Sequence, residues 1–179
     1  MSKNILIFSS SPRKGANSDL LCDQFAKGAQ EAGHKPEKIV LKDKKINYCT
    51  GCCTCFNKGK FCTQKDDMAG ILEKMIAADV IVMATPVYFY TMCGQMKTLI
   101  DRTCSRYTEI TNKEFYFIVT AAVKSKQAME RTIEGFRGFT SCLTGPKEKG
   151  VIYGTGVWNA GDVLKSDAMK KAFEMGTKI

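Results

Sequence analysis

Short apolar runs alternate with amphipathic stretches along the whole chain, and this alternation restricts the fold more than any other feature. Between the apolar runs, apolar residues recur at intervals of three and four, which is typical of helices. Strands that alternate with helices predict βαβ units, and therefore a parallel sheet covered by helices on both faces. The runs typical of buried strands lie at residues 3–9, 37–42, 79–84, 114–121 and 150–154.

Five such strands joined by right-handed crossovers predict a doubly wound α/β sandwich. The expected order of the five parallel strands is 2-1-3-4-5, which places the first and third strands side by side. The chain has 179 residues, a length typical of one domain, and it contains no repeat or proline-rich linker. We therefore predict a single domain over residues 1–179, with a cysteine-rich loop at about residues 43–65, called the cysteine loop below.

The charge and hydropathy of the chain restrict the kinds of partner that it can bind. No run approaches the roughly 18 apolar residues of a membrane span, and the apolar segment at residues 5–8 is shorter than the core of a signal peptide. The sequence therefore predicts a cytoplasmic protein without a membrane partner. Its formal net charge of +9 favours anionic ligands. The basic residues are dispersed and form no nucleic-acid motif, so we expect no nucleic-acid partner.

A serine-rich segment, residues 9–18 (SSSPRKGANS), separates the first strand from the first helix and is called the phosphate loop below. A helix N-terminus presents unpaired N–H groups and a partial positive charge, so it binds anions. The loop lacks G-x-G-x-x-G and G-x-x-x-x-G-K-[ST], which favours a monophosphate ligand; a plain capped turn is the alternative. The residues suited to phosphate binding are polar or conformationally permissive: Ser11, Arg13, Gly15, Asn17 and Ser18.

A second candidate segment follows the most apolar strand directly, at residues 85–90 (TPVYFY), called the aromatic turn below. Ligands of open α/β sheets bind outside the carboxyl ends of the strands, where the strand order reverses. With the predicted order, the phosphate loop and the aromatic turn flank one crevice. One segment can hold a phosphate while the other stacks on a planar ring. The alternative is that the aromatic side chains simply cover the end of the sheet.

The segments SSPRKGANS, KDDM and ATPVYFYTMCGQMKTLIDR make the first 110 residues similar to the NADPH-dependent FMN reductase and iron–sulfur flavoprotein group of the flavodoxin-like superfamily. The resemblance implies FMN as the cofactor and a homodimer or homotetramer with the flavin near the subunit interface. It implies phosphate contacts from Ser9, Ser11, Arg13, Asn17 and Ser18. It implies ring contacts from Pro86, Val87, Tyr88 and Phe89. It also implies a third loop at Thr120, Ala121 and Ala122.

Nine cysteines are unusual in a chain of this length, and five of them lie within residues 49–62. Such crowding favours metal or redox chemistry over disulfides. The spacing Cys49-x2-Cys52-x2-Cys55-x6-Cys62 is similar to the compact motif of iron–sulfur flavoproteins, which implies these four as ligands of a [4Fe–4S] cluster. Zinc and free, redox-active thiols remain open alternatives. The cysteines within helical patterns are predicted to be small core residues: Cys22, Cys93, Cys104 and Cys142.

These features together predict an enzyme that passes electrons from NAD(P)H through FMN to a quinone, a flavin or another small acceptor. The cofactor carries this chemistry, and we predict no catalytic side chain. His34 is the only histidine and follows a helix stop, so a histidine-based hydrolase is excluded. One alternative is an electron carrier that draws electrons from a ferredoxin-like partner through the cluster. A second is a flavin-binding redox sensor without turnover.

Overall fold

The computed structural model describes residues 1–57 and 61–179, so residues 58–60 of the cysteine loop lie outside the described residues. The parallel strands follow the order β2-β1-β3-β5-β6, and the short β4 pairs antiparallel with β3. The predicted order 2-1-3-4-5 is therefore confirmed, with β4 as an addition. The strands are β1 (Asn4–Ser9), β2 (Lys35–Val40), β3 (Val80–Tyr88), β4 (Thr91–Met92), β5 (Glu114–Thr120) and β6 (Lys147–Gly154).

Helices cover both faces of the sheet. In β1, Ile5 and Ile7 point into the core shared with α1 and α6, whereas Leu6 and Phe8 point into the core shared with α3, α4 and α5. This follows from the two-residue period of a strand, and it explains why the run is apolar throughout. The helices are α1 (Asn17–Glu31), α2 (Thr54–Asn57), α3 (Met68–Ala77), α4 (Gly94–Arg102), α5 (Glu130–Ser141) and α6 (Asp167–Thr177).

Helices α1 and α6 cross with their backbones in close contact. A Cβ atom added to Gly28 in α1 would lie 2.1 Å from the carbonyl oxygen of Phe173. One added to Gly176 in α6 would lie 2.2 Å from the carbonyl oxygen of Phe25. Only glycine fits at these two positions, and the crossing fixes the helix that begins at the phosphate loop.

The strand register brings three loops to one edge of the sheet. Ser9 at the end of β1 pairs with Ala84 in β3, and Pro86 in β3 pairs with Thr120 at the end of β5. Thr120 in turn pairs with Gly154 at the end of β6. The segments that follow β1, β3 and β5 therefore leave the sheet side by side, as the predicted crevice requires.

The cysteines in helical patterns have different environments. Cys22 and Cys93 are buried as predicted, and Cys104 is half-buried. The prediction that Cys142 is a core residue is wrong, because Cys142 is the C-terminal cap of α5 and is exposed. All nine cysteines are free. Over the described ranges, no helix combines the length and apolar character needed to cross a bilayer.

Candidate functional site

The phosphate loop carries two buried hydroxyl groups that have no protein partner. Ser9 and Ser18 are each 1% exposed, and their Oγ atoms make no hydrogen bond within the described residues. Ser18 lies in the first turn of α1, and the cap residue Ala16 offers no side-chain hydrogen bond to that turn. Gly15 turns the chain into the helix with φ of +60°, in the left-handed region that glycine tolerates.

Such an arrangement is costly unless a ligand completes it. A buried hydroxyl without a partner costs about 1–3 kcal/mol, and natural proteins contain few of them. Two such hydroxyls at an uncapped helix N-terminus fit a phosphate group, because its oxygens accept hydrogen bonds from both. The phosphate end of FMN therefore fits the residues that line this loop.

The segment after β6 joins the phosphate loop, which the sequence analysis missed. The Asn17 side chain donates a hydrogen bond to the Asn159 carbonyl oxygen at 2.9 Å and accepts one from the Val163 N–H at 3.1 Å. Arg13 Nη1 donates to the Trp158 carbonyl oxygen at 3.0 Å. The Asn17 amide thus supports the loop from behind. The one sequence signal that could have marked this segment was Trp158, the single tryptophan of the chain. In the structure its side chain is 71% exposed.

The aromatic turn reverses the chain between β3 and β4 with two strained residues. Phe89 and Tyr90 form a two-residue hairpin connection in which both φ angles are positive, at 49° and 65°. Such connections favour Asn-Gly because other residues resist this conformation, and each exception costs about 1–3 kcal/mol. The Phe89 ring is also 99% exposed. Strain and exposure together make these two rings candidates for contact with a ligand or a partner.

Replacing Phe89 by asparagine is expected to raise the free energy of unfolding by about 1 kcal/mol, because asparagine adopts positive φ more readily. No packing is lost, since the Phe89 ring is almost fully exposed. Urea unfolding without added flavin measures the change. Phe56→Asn, at an exposed position in α2, is the control and is expected to give no gain. Equal effects of the two substitutions would contradict the assignment of strain to the turn.

Buried polar contacts join the aromatic turn to the phosphate loop. The Cys93 N–H donates to Thr85 Oγ1 at 3.0 Å, and Cys93 Sγ lies 3.1 Å from Ser10 Oγ. Ser10 Oγ also donates to the Ala84 carbonyl oxygen at 2.8 Å. Because each of these groups is paired within the protein, they fix the spacing of the two segments. Cys93 is therefore more than the small core residue that the sequence predicted.

The remaining predicted ring contacts lie at the same edge. Pro86, Thr120 and Ala121 are buried, Val87 is half-buried, and Tyr88 and Ala122 are exposed. The Ala121 N–H donates to the Gly154 carbonyl oxygen at 2.9 Å, and the Ala121 carbonyl oxygen accepts from the Val157 N–H at 2.9 Å. The third loop is thus tied to the segment after β6, and it lies at the same edge of the sheet as the aromatic turn.

The cysteine loop presents its four predicted ligands mostly to solvent. Cys49, Cys52 and Cys62 are exposed, and Cys55 is half-buried. Hydrogen bonds with Thr54 and Thr50 lower the pKa of Cys52 to about 7. Within the described residues, no three cysteine, histidine or acidic side chains form a group that could hold a metal ion. The donors nevertheless fit a cluster in their chemistry, because all four are free thiols on one segment.

Cys104 adds a further thiol to this neighbourhood. It lies in a short 3₁₀ turn, Thr103–Ser105, that packs against α2. Burial raises the pKa of Cys104, and the neighbouring thiols of Cys55 and Cys49 raise it further. Cys104 was predicted to be a core residue because it lies within a helical pattern, but it is only half-buried and lies near the thiols of the cysteine loop.

A buried ion pair fastens the cysteine loop to α4. Arg102 donates to both carboxylate oxygens of Asp66, at 2.6 and 3.0 Å, and the two side chains are 2% and 0% exposed. Arg102 also donates to the Asn47 carbonyl oxygen at 2.6 Å and contacts Cys62 Sγ at 3.6 Å. The Asp66 carboxylate accepts the N–H groups of Asn47 and Met68 at 3.0 and 3.1 Å. Both ends of the loop therefore meet at this pair.

The strand order, the phosphate loop and the aromatic turn together define the flavodoxin-like class of α/β proteins. Solved structures share this fold over nearly the whole chain. An FMN-dependent NADH-azoreductase from Bacillus anthracis in complex with FMN superposes with a TM-score of 0.75 at 16% identity, covering 99% of each chain. An NAD(P)H:quinone oxidoreductase from Methanothermobacter marburgensis gives a TM-score of 0.74 at 15% identity, covering 99% of this chain and 97% of that one.

Sequence comparison identifies the family. An iron–sulfur flavoprotein of Archaeoglobus fulgidus is 36% identical over 172 residues, covering 94% of this chain and 75% of that protein. An iron–sulfur flavoprotein of Methanocaldococcus jannaschii is 32% identical over 184 residues, covering 98% and 94%. The pattern described as NADPH-dependent FMN reductase matches residues 3–144. The chain belongs to this NADPH-dependent FMN reductase family. The predicted flavodoxin-like fold, the FMN cofactor and the oxidoreductase class are thereby confirmed.

Proposed function

We propose that this protein passes electrons from NAD(P)H through bound FMN to a small acceptor such as a quinone or a free flavin. The observation that carries the proposal is the pair of buried hydroxyls of Ser9 and Ser18, which have no partner among the described residues and lie at the uncapped N-terminus of α1. They lie at the carboxyl edge of the sheet, beside the aromatic turn. One end of the crevice is therefore built for an anion and the other for a planar ring.

The residues of the phosphate end bind and orient. Ser9, Ser11 and Ser18 donate hydroxyl hydrogen bonds, and the first N–H groups of α1 add partial positive charge. Arg13 is exposed and can reach a phosphate oxygen by giving up its bond to the Trp158 carbonyl. The Asn17 side chain keeps the segment after β6 in place, so we assign the ligand contact at this position to the backbone N–H.

The residues of the ring end position the flavin and shield it from water. Pro86, Val87, Tyr88 and Phe89 lie along one wall, and Thr120, Ala121 and Ala122 lie along the other. Bound FMN supplies the hydride and electron transfer chemistry, as cofactors do in such enzymes. No side chain is required as an acid or base, and we assign none.

Anaerobic stopped-flow reduction tests the donor. The FMN-loaded protein is mixed with NADPH, and in a parallel experiment with NADH, while flavin absorbance is followed. Rapid bleaching followed by reoxidation with a quinone is the expected result. Reduction by reduced ferredoxin alone would favour an electron carrier. Failure with every donor would leave a flavin-binding redox sensor without turnover.

Replacing Ser18 or Ser9 by alanine is expected to weaken FMN binding at least about tenfold, because a hydrogen bond to a charged group contributes about 1.5–3 kcal/mol. The FMN-free protein is expected to keep or gain stability, since the substitution removes a buried hydroxyl that lacks a partner. Fluorescence titration with FMN and urea unfolding measure the two effects.

The opposite directions of these two effects separate a ligand role from a structural one. Ser141→Ala is the control, because the Ser141 hydroxyl is exposed and bonds to the Gly138 carbonyl oxygen. It is expected to change neither quantity appreciably. A loss of stability in the FMN-free Ser18 variant, with unchanged FMN affinity, would remove Ser18 from the binding site.

A second candidate function is an iron–sulfur flavoprotein that receives electrons from a ferredoxin-like partner. Its specific support is the cysteine loop, where Cys49, Cys52, Cys55 and Cys62 would hold a [4Fe–4S] cluster. Two relatives that this chain matches over most of their length are named iron–sulfur flavoproteins. Anaerobic purification with iron and sulfide analysis should find about four of each per chain. Values near zero after reconstitution would leave zinc or free thiols.

We further propose that the protein is a homo-oligomer in a reducing compartment. The exposed rings of the aromatic turn, Phe89 and Tyr90, support a homodimer or homotetramer in which a second subunit covers the flavin. Sedimentation equilibrium of the FMN-loaded protein tests this. Nine free cysteines support a reducing compartment such as the cytoplasm.

A further inference from the structure

Helix α4 connects the two halves of the proposed redox centre. Its N-terminal cap is Cys93, whose sulfur contacts Ser10 in the phosphate loop. Its last residue is Arg102, whose guanidinium contacts the cysteine loop. The same helix thus meets the flavin crevice at one end and the thiols at the other.

Arg102 reaches both ends of the cysteine loop at once. One terminal nitrogen, Nη1, donates to the Asn47 carbonyl oxygen, which lies before the first cysteine of the loop. The other, Nη2, lies 3.6 Å from the sulfur of Cys62, the last cysteine of the loop. Asp66 compensates the charge, so the guanidinium remains buried without an unpaired charge.

The planar guanidinium suits this task, and an ammonium does not. Arginine presents five donors in a fixed plane, whereas lysine has three donors on a single nitrogen. Bridging Asp66, Asn47 and Cys62 needs donors that diverge from two separate nitrogens. The buried Nε of Arg102 has no partner within the described residues, which lowers stability. The hydrogen bonds of the two terminal nitrogens offset this loss.

We propose that Arg102 is the positioning residue of the cysteine loop, which it holds at Asn47 and at Cys62. The role at Cys62 rests on the iron–sulfur function proposed above, because the N–H···S contact then falls on a cluster ligand. Hydrogen bonds to ligand sulfurs stabilise the reduced, more negative cluster and raise its reduction potential. Arg102 therefore fixes the place of the loop, and it would raise the reduction potential of a cluster held by Cys62.

The test compares the full-length wild-type protein with Arg102→Lys, which keeps a positive charge beside Asp66 and so avoids an unpaired buried carboxylate. The Asn47 N–H donates to Asp66, so its hydrogen exchange reports opening of the loop that Arg102 holds at the Asn47 carbonyl oxygen. This exchange is measured without metal, and the midpoint potential is measured by spectroscopic titration after anaerobic reconstitution with iron and sulfide. The expected results for the variant are exchange at least about tenfold faster, the scale of one hydrogen bond to a charged group, and a lower midpoint potential. Lys97→Met, which removes an exposed cation from the same helix, should match the wild type in both measurements.

Two results would overturn the proposal. Unchanged Asn47 exchange in Arg102→Lys would show that the loop is held without Arg102. An unchanged midpoint potential would remove the contact with the cluster ligand. If the wild type takes up no iron, the iron–sulfur function fails, and the exchange measurement still decides whether Arg102 holds the loop.

Discussion

Replacing Asp66 by alanine is expected to lower the free energy of unfolding by about 3–5 kcal/mol, because the buried guanidinium of Arg102 then has no counter-charge. Both side chains are almost fully buried, and the carboxylate also accepts two backbone hydrogen bonds. Urea unfolding measures the loss. We expect the cysteine loop to detach first, since the Asn47 N–H loses its acceptor.

The control for this prediction lies on the same helix. Asp101 pairs with Lys97 at 2.6 Å, but both side chains are largely exposed. Exposed pairs of this spacing contribute about 0.3–0.5 kcal/mol, so Asp101→Ala should cost little. The double variant Asp66→Leu with Arg102→Met should recover much of the stability, because apolar replacement of a buried pair removes both charges. A loss below about 1 kcal/mol for Asp66→Ala would contradict the structural account of the pair.

The same pair gives the stability a predicted dependence on pH. Burial alone raises the pKa of Asp66, but hydrogen bonds from Arg102 and from the Asn47 and Met68 N–H groups outweigh it and lower the pKa below its ordinary value. The contribution of Asp66 is therefore fully present above the pKa that the group has in the unfolded chain. It is lost as the pH falls through the lower pKa of the folded state. Asp66→Ala should lose this part of the acid dependence.

Replacing Gly28 by alanine is expected to lower the free energy of unfolding by about 3 kcal/mol, the upper part of the range for overpacked sites. The added methyl group would meet the Phe173 carbonyl oxygen at 2.1 Å, and a backbone atom in a helix cannot move aside alone. Helices α1 and α6 would have to separate. Because α1 begins at the phosphate loop, we also expect weaker FMN binding.

Thermal unfolding with and without FMN measures both effects. Gly138 in α5 provides the matched control, since a Cβ atom there would have nothing within 4 Å. Gly138→Ala should raise stability by about 0.5–1 kcal/mol through helix propensity. If both substitutions change the free energy of unfolding equally, then the close crossing of α1 and α6 does not exclude a side chain at Gly28.

The sequence predicted the sheet, and the two segments that leave it side by side after β1 and β3, because both depend on local patterns. The apolar run of β1 is buried on both faces, and the serine-rich turn after it has a composition that few other roles require. The termini of later elements were less predictable. Strand β6 begins at Lys147, earlier than residue 150, because its first residues pair through the backbone and remain exposed.

Contacts between distant residues escaped the sequence analysis. Asp66 resembles a helix cap, and it does accept the Met68 N–H, but its partner Arg102 lies 36 residues away. The strained hairpin at Phe89 and Tyr90 was also invisible, because these residues lack the glycine or asparagine that marks such a connection. Both features hold the candidate site in place, and each departs from the local rule that sequence reasoning uses.

The length of α4, nine residues, also sets the distance between the two segments at its ends. At 1.5 Å per residue, the helix separates the flavin crevice from the thiol-bearing segment by about 13 Å along its axis. Adding one residue would lengthen this spacing only slightly, but it would swing the terminal guanidinium by about 100° around the axis. The distance between the flavin crevice and the thiols can therefore change here only in whole helical turns, unless the carboxylate that meets the guanidinium moves as well.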